Sequence, residues 1–169
     1  SDDTTDKQPV LLITGGKITV NADGDGLDSN GNLRVEGGDI TVNGPSNGGN
    51  GALDIGTENG GAGVIAGGTL IALGASSMAE NFGSTSTQCA FLVTMNSFGA
   101  GETITITDSQ GTVLYTGVTV KSANSVVFSS ADLVVGETYT VTIGSSSATV
   151  TQSSTVVGNS NGFGGFGRH

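Results

Sequence analysis

Ile13-Thr14-Gly15-Gly16-Lys17-Ile18-Thr19-Val20 returns as Val35-Glu36-Gly37-Gly38-Asp39-Ile40-Thr41-Val42, and again as Ile65-Ala66-Gly67-Gly68-Thr69-Leu70-Ile71-Ala72. The paired glycines recur after 22 and then 30 residues, and Gly26-Leu27-Asp28 is echoed by Ala52-Leu53-Asp54. Repeats of this length, made of short strands and glycine turns, mark stacked coils that bury their apolar faces only against one another. Apolar and polar residues alternate within each unit, the two-residue period of a strand. Ile13, Ile18 and Val20 are expected to point inward and stack on Val35, Ile40 and Val42, then on Ile65, Leu70 and Ala72. Thr19 and Thr41 face outward, and Lys17 meets Asp39 as an opposite-charge pair between coils about 4.8 Å apart. The glycine pair marks a corner that needs positive φ or a close backbone approach.

The third unit breaks the alternation. Val64, Ile71 and Leu73 are apolar at outward positions, so another layer must cover them. Strands expected at residues 90–94, 103–107, 113–115, 118–120, 126–129, 138–143 and 148–151 offer that layer, with turns at 108–111 and 135–137. Ser129-Ser130-Ala131-Asp132-Leu133 reads as a short helical turn capped by Ser129 or Ser130. The expected fold is all-β: a short parallel β-helix of about three coils, then a β-rich antiparallel C-terminal region. Its parts are an N-terminal extension at 1–12, coils at 13–84, the region packed on them at 85–157, and a Gly-rich tail at 158–169.

Composition agrees with an all-β chain rich in tight turns: 30 of 169 residues are Gly, only 12% are charged, and Trp is absent. The net charge of −10, with five scattered basic residues, argues against nucleic acid as a partner. Cys89 stands alone, so no intramolecular disulfide is possible, and it reads as a small buried hydrophobe. The single His169 is the last residue, which leaves no histidine for a triad in the body of the chain. No apolar run approaches the length of a membrane helix, so membrane insertion is not expected. Ser1-Asp2-Asp3-Thr4-Thr5-Asp6 reads as a polar spacer or a processed end, compatible with secretion.

Chemistry concentrates in Asp23-Gly24-Asp25-Gly26-Leu27-Asp28-Ser29-Asn30-Gly31, where three carboxylates and an amide share one turn that contains no Lys or Arg. A hard cation would relieve their repulsion, and Ca²⁺ takes 6–8 oxygen ligands in irregular geometry. The ligand spacing is not that of an EF-hand. The candidate ligands are Asp23, Asp25, Asp28 and Asn30, joined by Asn50 and Asp54 from the next coil. The alternative is a hydrogen-bonded Asx turn without metal.

These pieces resemble a known family. Asp25-Gly26-Leu27-Asp28-Ser29-Asn30-Gly31, Val42-Asn43-Gly44-Pro45, Asn50-Gly51-Ala52-Leu53-Asp54 and Gly74-Ala75-Ser76-Ser77-Met78 are similar to secreted bacterial carbohydrate-binding β-helix proteins. So are Ser129-Ser130-Ala131-Asp132-Leu133 and Gly136-Glu137-Thr138-Tyr139-Thr140-Val141 in the second half. The resemblance implies a right-handed parallel β-helix of the pectate-lyase kind, Ca²⁺ in the Asp-rich turns, and extracellular binding of polysaccharide such as cellulose or pectate. Catalysis is not expected: Lys17 and Arg34, the basic candidates for a polysaccharide lyase, have partners in Asp39 and Glu36. No aromatic residue lies between Ser1 and Glu80, which disfavours stacking on neutral sugar and leaves an acidic glycan bridged by metal. A structural role is the alternative. An uncovered first coil exposes strand edges that invite a homo-oligomer or an end-to-end filament, with the segments 4–10 and 156–169 free to reach a neighbour.

Overall fold

The computed structural model describes residues 10–29, 31–46, 50–56 and 60–158. Asn30, the first nine residues and the tail beyond Gly158 lie outside the described residues. The chain is all-β, with strands throughout and no α-helix among the described residues.

The first half makes three passes. β1 (Val10–Ile13), β2 (Lys17–Asn21) and β3 (Leu27–Ser29) are followed by β4 (Asn32–Val35), β5 (Asp39–Asn43) and β6 (Leu53–Ile55), then by β7 (Gly63–Ile65) and β8 (Thr69–Gly74). Equivalent strands pair in parallel, as β1-β4-β7, β2-β5-β8 and β3-β6. The register aligns the repeats: Ile13, Val35 and Ile65 stand in one row, Ile18, Ile40 and Leu70 in another, and Val20, Val42 and Ala72 in a third. Val35, Val42, Ile65 and Leu70 are wholly buried, whereas Ile18 and Val20 are half-buried because β2 is an edge strand. Lys17 and Asp39 are register partners, yet they form no ion pair: the described pairs are Arg34–Glu36 at 2.6 Å and Lys121–Asp23 at 3.5 Å.

The two glycines of each corner do different work. The second has positive φ, 87° at Gly16, 104° at Gly38 and 85° at Gly68, a region in which a Cβ is strained. The first lies against the preceding pass. A Cβ on Gly37 would stand 2.5 Å from the Thr14 carbonyl oxygen, and one on Gly67 2.4 Å from that of Glu36. Gly15, with no pass beneath it, has nothing within 4 Å.

The second half continues one of these sheets. β12 (Ala123–Ser129) pairs antiparallel with β8, β9 (Ala90–Phe98) pairs antiparallel with β12, and β15 (Val156–Val157) runs parallel to β9. The resulting sheet is mixed, in the order β15-β9-β12-β8-β5-β2. β10 (Thr103–Thr107), β11 (Val113–Val118), β13 (Thr138–Ile143) and β14 (Ser146–Thr151) form a separate antiparallel sheet, β11-β10-β13-β14. Each face of the six-stranded sheet therefore has its own core. Leu70, Ala72, Ala90, Leu92 and Val127 join the interior of the three passes, while Ile71, Leu73, Phe91, Val93 and Phe128 pack with Ile104, Ile106, Tyr139 and Val141.

Several local expectations are corrected. Residues 113–115 and 118–120 are not two strands: β11 runs unbroken through Gly117 to Val118. Thr119 then ends it, its hydroxyl donating to the Gly99 carbonyl (2.6 Å) and accepting the Glu102 N–H (2.9 Å). The expected helical turn at 129–133 is a tight non-helical turn. Ser129 still belongs to β12, and the Ser130 hydroxyl accepts the Asp132 N–H at 2.9 Å. Val156 and Val157 are not free to reach a neighbour, because they form β15.

The glycine corners generate a paired test. Gly37→Ala should destabilise by about 1–3 kcal/mol, since backbone must move to admit the methyl group, whereas Gly15→Ala should be close to neutral. Chemical denaturation measures both. Equal losses would show that close approach is not the role of the first glycine.

Candidate metal centre

The Asp-rich turn connects β2 to β3, and parallel pairing carries it onto the next pass. Gly26 N–H donates to the Gly51 carbonyl (3.1 Å) and Leu27 N–H to that of Ala52 (2.9 Å). Leu27 stands on Leu53 and Asp28 on Asp54. Both leucines are buried, so alternation turns both aspartates away from the core. Ala52 sits in a slot lined by glycines. A Cβ on Gly26 would stand 2.4 Å from the Ala52 carbonyl oxygen, and one on Gly44 2.6 Å from its Cα. The site is thus registered by apolar and backbone contacts beneath it.

Asp25, Asp28 and Asp54 converge, with ligand-capable oxygens all within 4.8 Å of one another. Asp25 is oriented by Gly51, whose N–H donates to its Oδ1 at 2.9 Å. Asp28 is exposed, and the other two are half-buried. Stacked like charges destabilise a sheet, and this arrangement shows the strain. Partial burial, a hydrogen bond with Asp25 and the charges of Asp25, Asp28 and Glu80 together push the Asp54 carboxyl up from 3.8 to about 6. The three carboxylates are thus close enough to share one cation or one proton.

The remaining candidates are placed differently. Asp23 is not in the trio; its fully exposed carboxylate faces Lys121, whose ammonium also donates to the Ala22 carbonyl at 2.8 Å. The turn therefore does have a basic neighbour, supplied from nearly a hundred residues away. The Asn50 side chain makes no hydrogen bond among the described residues, and Asn30 lies outside them. Glu80, absent from the sequence-based set, accepts the Ile55 N–H at 3.1 Å and adds its charge beside Asp54. Nothing in its local sequence marks it; the 3₁₀ turn Ser76–Met78 brings the chain back to β6.

Comparison of the chain with protein-family profiles, curated proteins and solved structures finds no match.

The Asp54 shift has a signed consequence. The folded state holds this proton more tightly than the unfolded chain, so the contribution to stability is complete below about pH 4 and is lost as pH rises through 6. Chelated protein should lose thermal stability across pH 4–7 more steeply than its Asp54→Asn variant. Parallel melting profiles would remove the cluster as the cause.

Proposed function

We propose that the three parallel passes form a short right-handed β-helix whose acidic seam binds Ca²⁺ and, through it, an acidic polysaccharide outside the cell. The observation that carries this reading is the register of Asp28 on Asp54 with Asp25 alongside, which gathers three carboxylates within 4.8 Å. Three carboxylates offer up to six oxygens, and the exposure of Asp28 leaves one side of a bound ion open to a further ligand. A polyuronate carboxylate suits that position chemically. At a net charge of −10 the protein would otherwise repel an acidic chain, which makes the cation a necessary bridge. The aromatic rings agree with this preference. Among the described residues Phe82, Phe91, Phe98, Phe128 and Tyr139 are buried, and the half-buried Tyr115 sets its ring edge-on against Phe128 at 5.7 Å.

Calorimetric titration of chelated protein should show Ca²⁺ binding that Asp28→Asn weakens at least about tenfold, a loss near 1.4 kcal/mol. Ca²⁺ at about a hundred times its Kd should raise stability by about 2.7 kcal/mol, seen as a higher melting temperature. Wild type and variant behaving alike would discard the metal. Immobilised polygalacturonate should retain the protein with Ca²⁺ and release it with chelator, while cellulose should retain little. Chelator-independent retention would discard the bridge and keep only glycan binding.

A second reading, self-assembly, is favoured by the edges. Among the described residues β1, β2 and β3 are each at the edge of their sheet, and Val10 and Leu12 are 57% and 51% exposed. At the opposite side residues 79–88 cover the last pass: Gly83 N–H bonds to the Gly63 carbonyl (2.7 Å), and the Ile65 N–H to the Ser86 hydroxyl (3.1 Å). With one end covered, pairing of like ends into a closed dimer is favoured over an open-ended filament. Analytical ultracentrifugation decides: a dimer supports this reading, and a monomer at high concentration ends it.

A further inference from the structure

Six Asn-Gly pairs occur in the chain, and two of them, Asn43-Gly44 and Asn50-Gly51, lie wholly among the described residues. Glycine after asparagine leaves the next backbone nitrogen unshielded, because no Cβ stands beside it. That nitrogen can attack the asparagine Cγ, close a cyclic imide and expel ammonia. The two reacting atoms belong to neighbouring residues, so little entropy is lost in bringing them together. The nitrogen must give up its proton in the attack, so the partner of the glycine N–H decides which pair reacts.

The two pairs differ at that atom. Gly44 N–H donates to the Leu73 carbonyl at 2.8 Å, and a neutral carbonyl is no base. Asn43 is 5% exposed, with its Nδ2 set 3.4 Å from the Val20 carbonyl oxygen. Gly51 N–H donates instead to Asp25 Oδ1 at 2.9 Å, and a carboxylate takes up protons. Gly51 is buried, which keeps solvent base from its nitrogen, and its carbonyl accepts the Gly26 N–H at 3.1 Å. The Asn50 side chain is half-buried and makes no hydrogen bond among the described residues, so its carboxamide is free to turn onto that nitrogen. Asp25 and Gly51 are far apart in sequence, and only the parallel stacking of the passes brings base and nitrogen together.

We propose that Asn50 is a self-modifying residue, converted to an acid through the imide with Asp25 as the catalytic base. Asp25 takes the Gly51 proton as the nitrogen bonds to Asn50 Cγ. It then passes that proton to the amide nitrogen of Asn50, which leaves as ammonia when the bond from Cγ breaks. Water opens the ring at either imide carbonyl: its hydroxyl goes to the carbon and its proton to the nitrogen, giving aspartate or isoaspartate at position 50. Each product replaces a neutral carboxamide by a carboxylate beside Asp25, so the turn acquires a charge only after the chain has folded. The reaction needs no metal and goes beyond the Ca²⁺ reading without depending on it.

The test incubates the full chain in chelator at neutral pH, digests it at low pH and locates each amide-to-acid conversion by fragment mass. Asn50 is expected to convert faster in the folded chain than in urea, whereas Asn43 should convert faster in urea. Asp25→Asn keeps an oxygen to accept the Gly51 N–H but removes the base. Once melting shows this variant to be folded, conversion at Asn50 should be slower by at least about tenfold. If the variant does not fold, the comparison of folded and urea-treated wild type decides alone. Folded wild type that keeps Asn50 intact, or converts it no faster than in urea, overturns the proposal. So does a folded Asp25→Asn variant that converts Asn50 at the wild-type rate or faster, which would make the Gly51–Asp25 bond a shield. With chelator present throughout, none of these results bears on whether Ca²⁺ binds.

Discussion

Everything in this molecule depends on β8 being apolar on both faces. In Thr69-Leu70-Ile71-Ala72-Leu73-Gly74, Leu70 and Ala72 enter the interior of the three passes, and Ile71 and Leu73 enter the core beneath the antiparallel sheet. A strand with one wet face would end the parallel stack as a solvated edge; this one must be covered twice. Ile104, Ile106, Tyr139 and Val141 of the antiparallel sheet cover its outer face, while β12 pairs antiparallel along its edge, placing Phe128 beside Ile71 and Val127 beside Ala72. β12 hands the same two-sided pattern to β9, where Phe91 and Leu92 enter opposite cores. The aromatic residues follow from this. Phe91 lies 5.7 Å from Phe128 and 6.2 Å from Tyr139, so the large rings are spent filling the space between sheets.

What was legible in the sequence is what repeats. Glycine pairs and alternation put Ile13, Val35 and Ile65 in one row, and the separate echo of Gly26-Leu27-Asp28 in Ala52-Leu53-Asp54 aligned Asp28 with Asp54. Of the apolar outward residues expected to be covered by another layer, Ile71 and Leu73 are, at 1% and 4% exposure, whereas Val64 on β7 joins neither core and is half-buried. What the sequence hid are contacts between distant segments with no periodic mark. Lys121 reaching Asp23, Glu80 reaching the Ile55 N–H, and β12 joining the sheet of β8 all belong to this class. The local errors have local causes. A glycine inside β11 looked like a strand break, and Ser130 satisfied a single turn that needed no helix to follow.

Lys17 and Asp39 separate register from interaction. Their Cα atoms are partners, as the repeat required, yet no ion pair forms. Both side chains are exposed, and holding a long ammonium arm in one geometry costs entropy that an exposed attraction barely offsets. Arg34 and Glu36 do pair, at 2.6 Å, because they stand two residues apart on one side of the chain and need little ordering to meet. Neither pair determines how the passes stack.

The acidic seam reverses that relation. Asp28 and Asp54 are held together although they repel, which is possible only because something stronger sets the register. Leu27 on Leu53 beneath them, the backbone bonds from Gly26 and Leu27, and the glycine-lined slot around Ala52 supply it. Burying two leucines stabilises by about 3–6 kcal/mol, more than exposed carboxylates at a surface withdraw. The apolar side thus imposes a geometry that the polar side would not choose. A proton shared near Asp54 relieves it at low pH, and a divalent cation would relieve it more completely at neutral pH. The carboxylates are therefore placed by the packing beneath them and not by one another. On the reading proposed above, a cation would meet little ordering cost at such a preset group of oxygens.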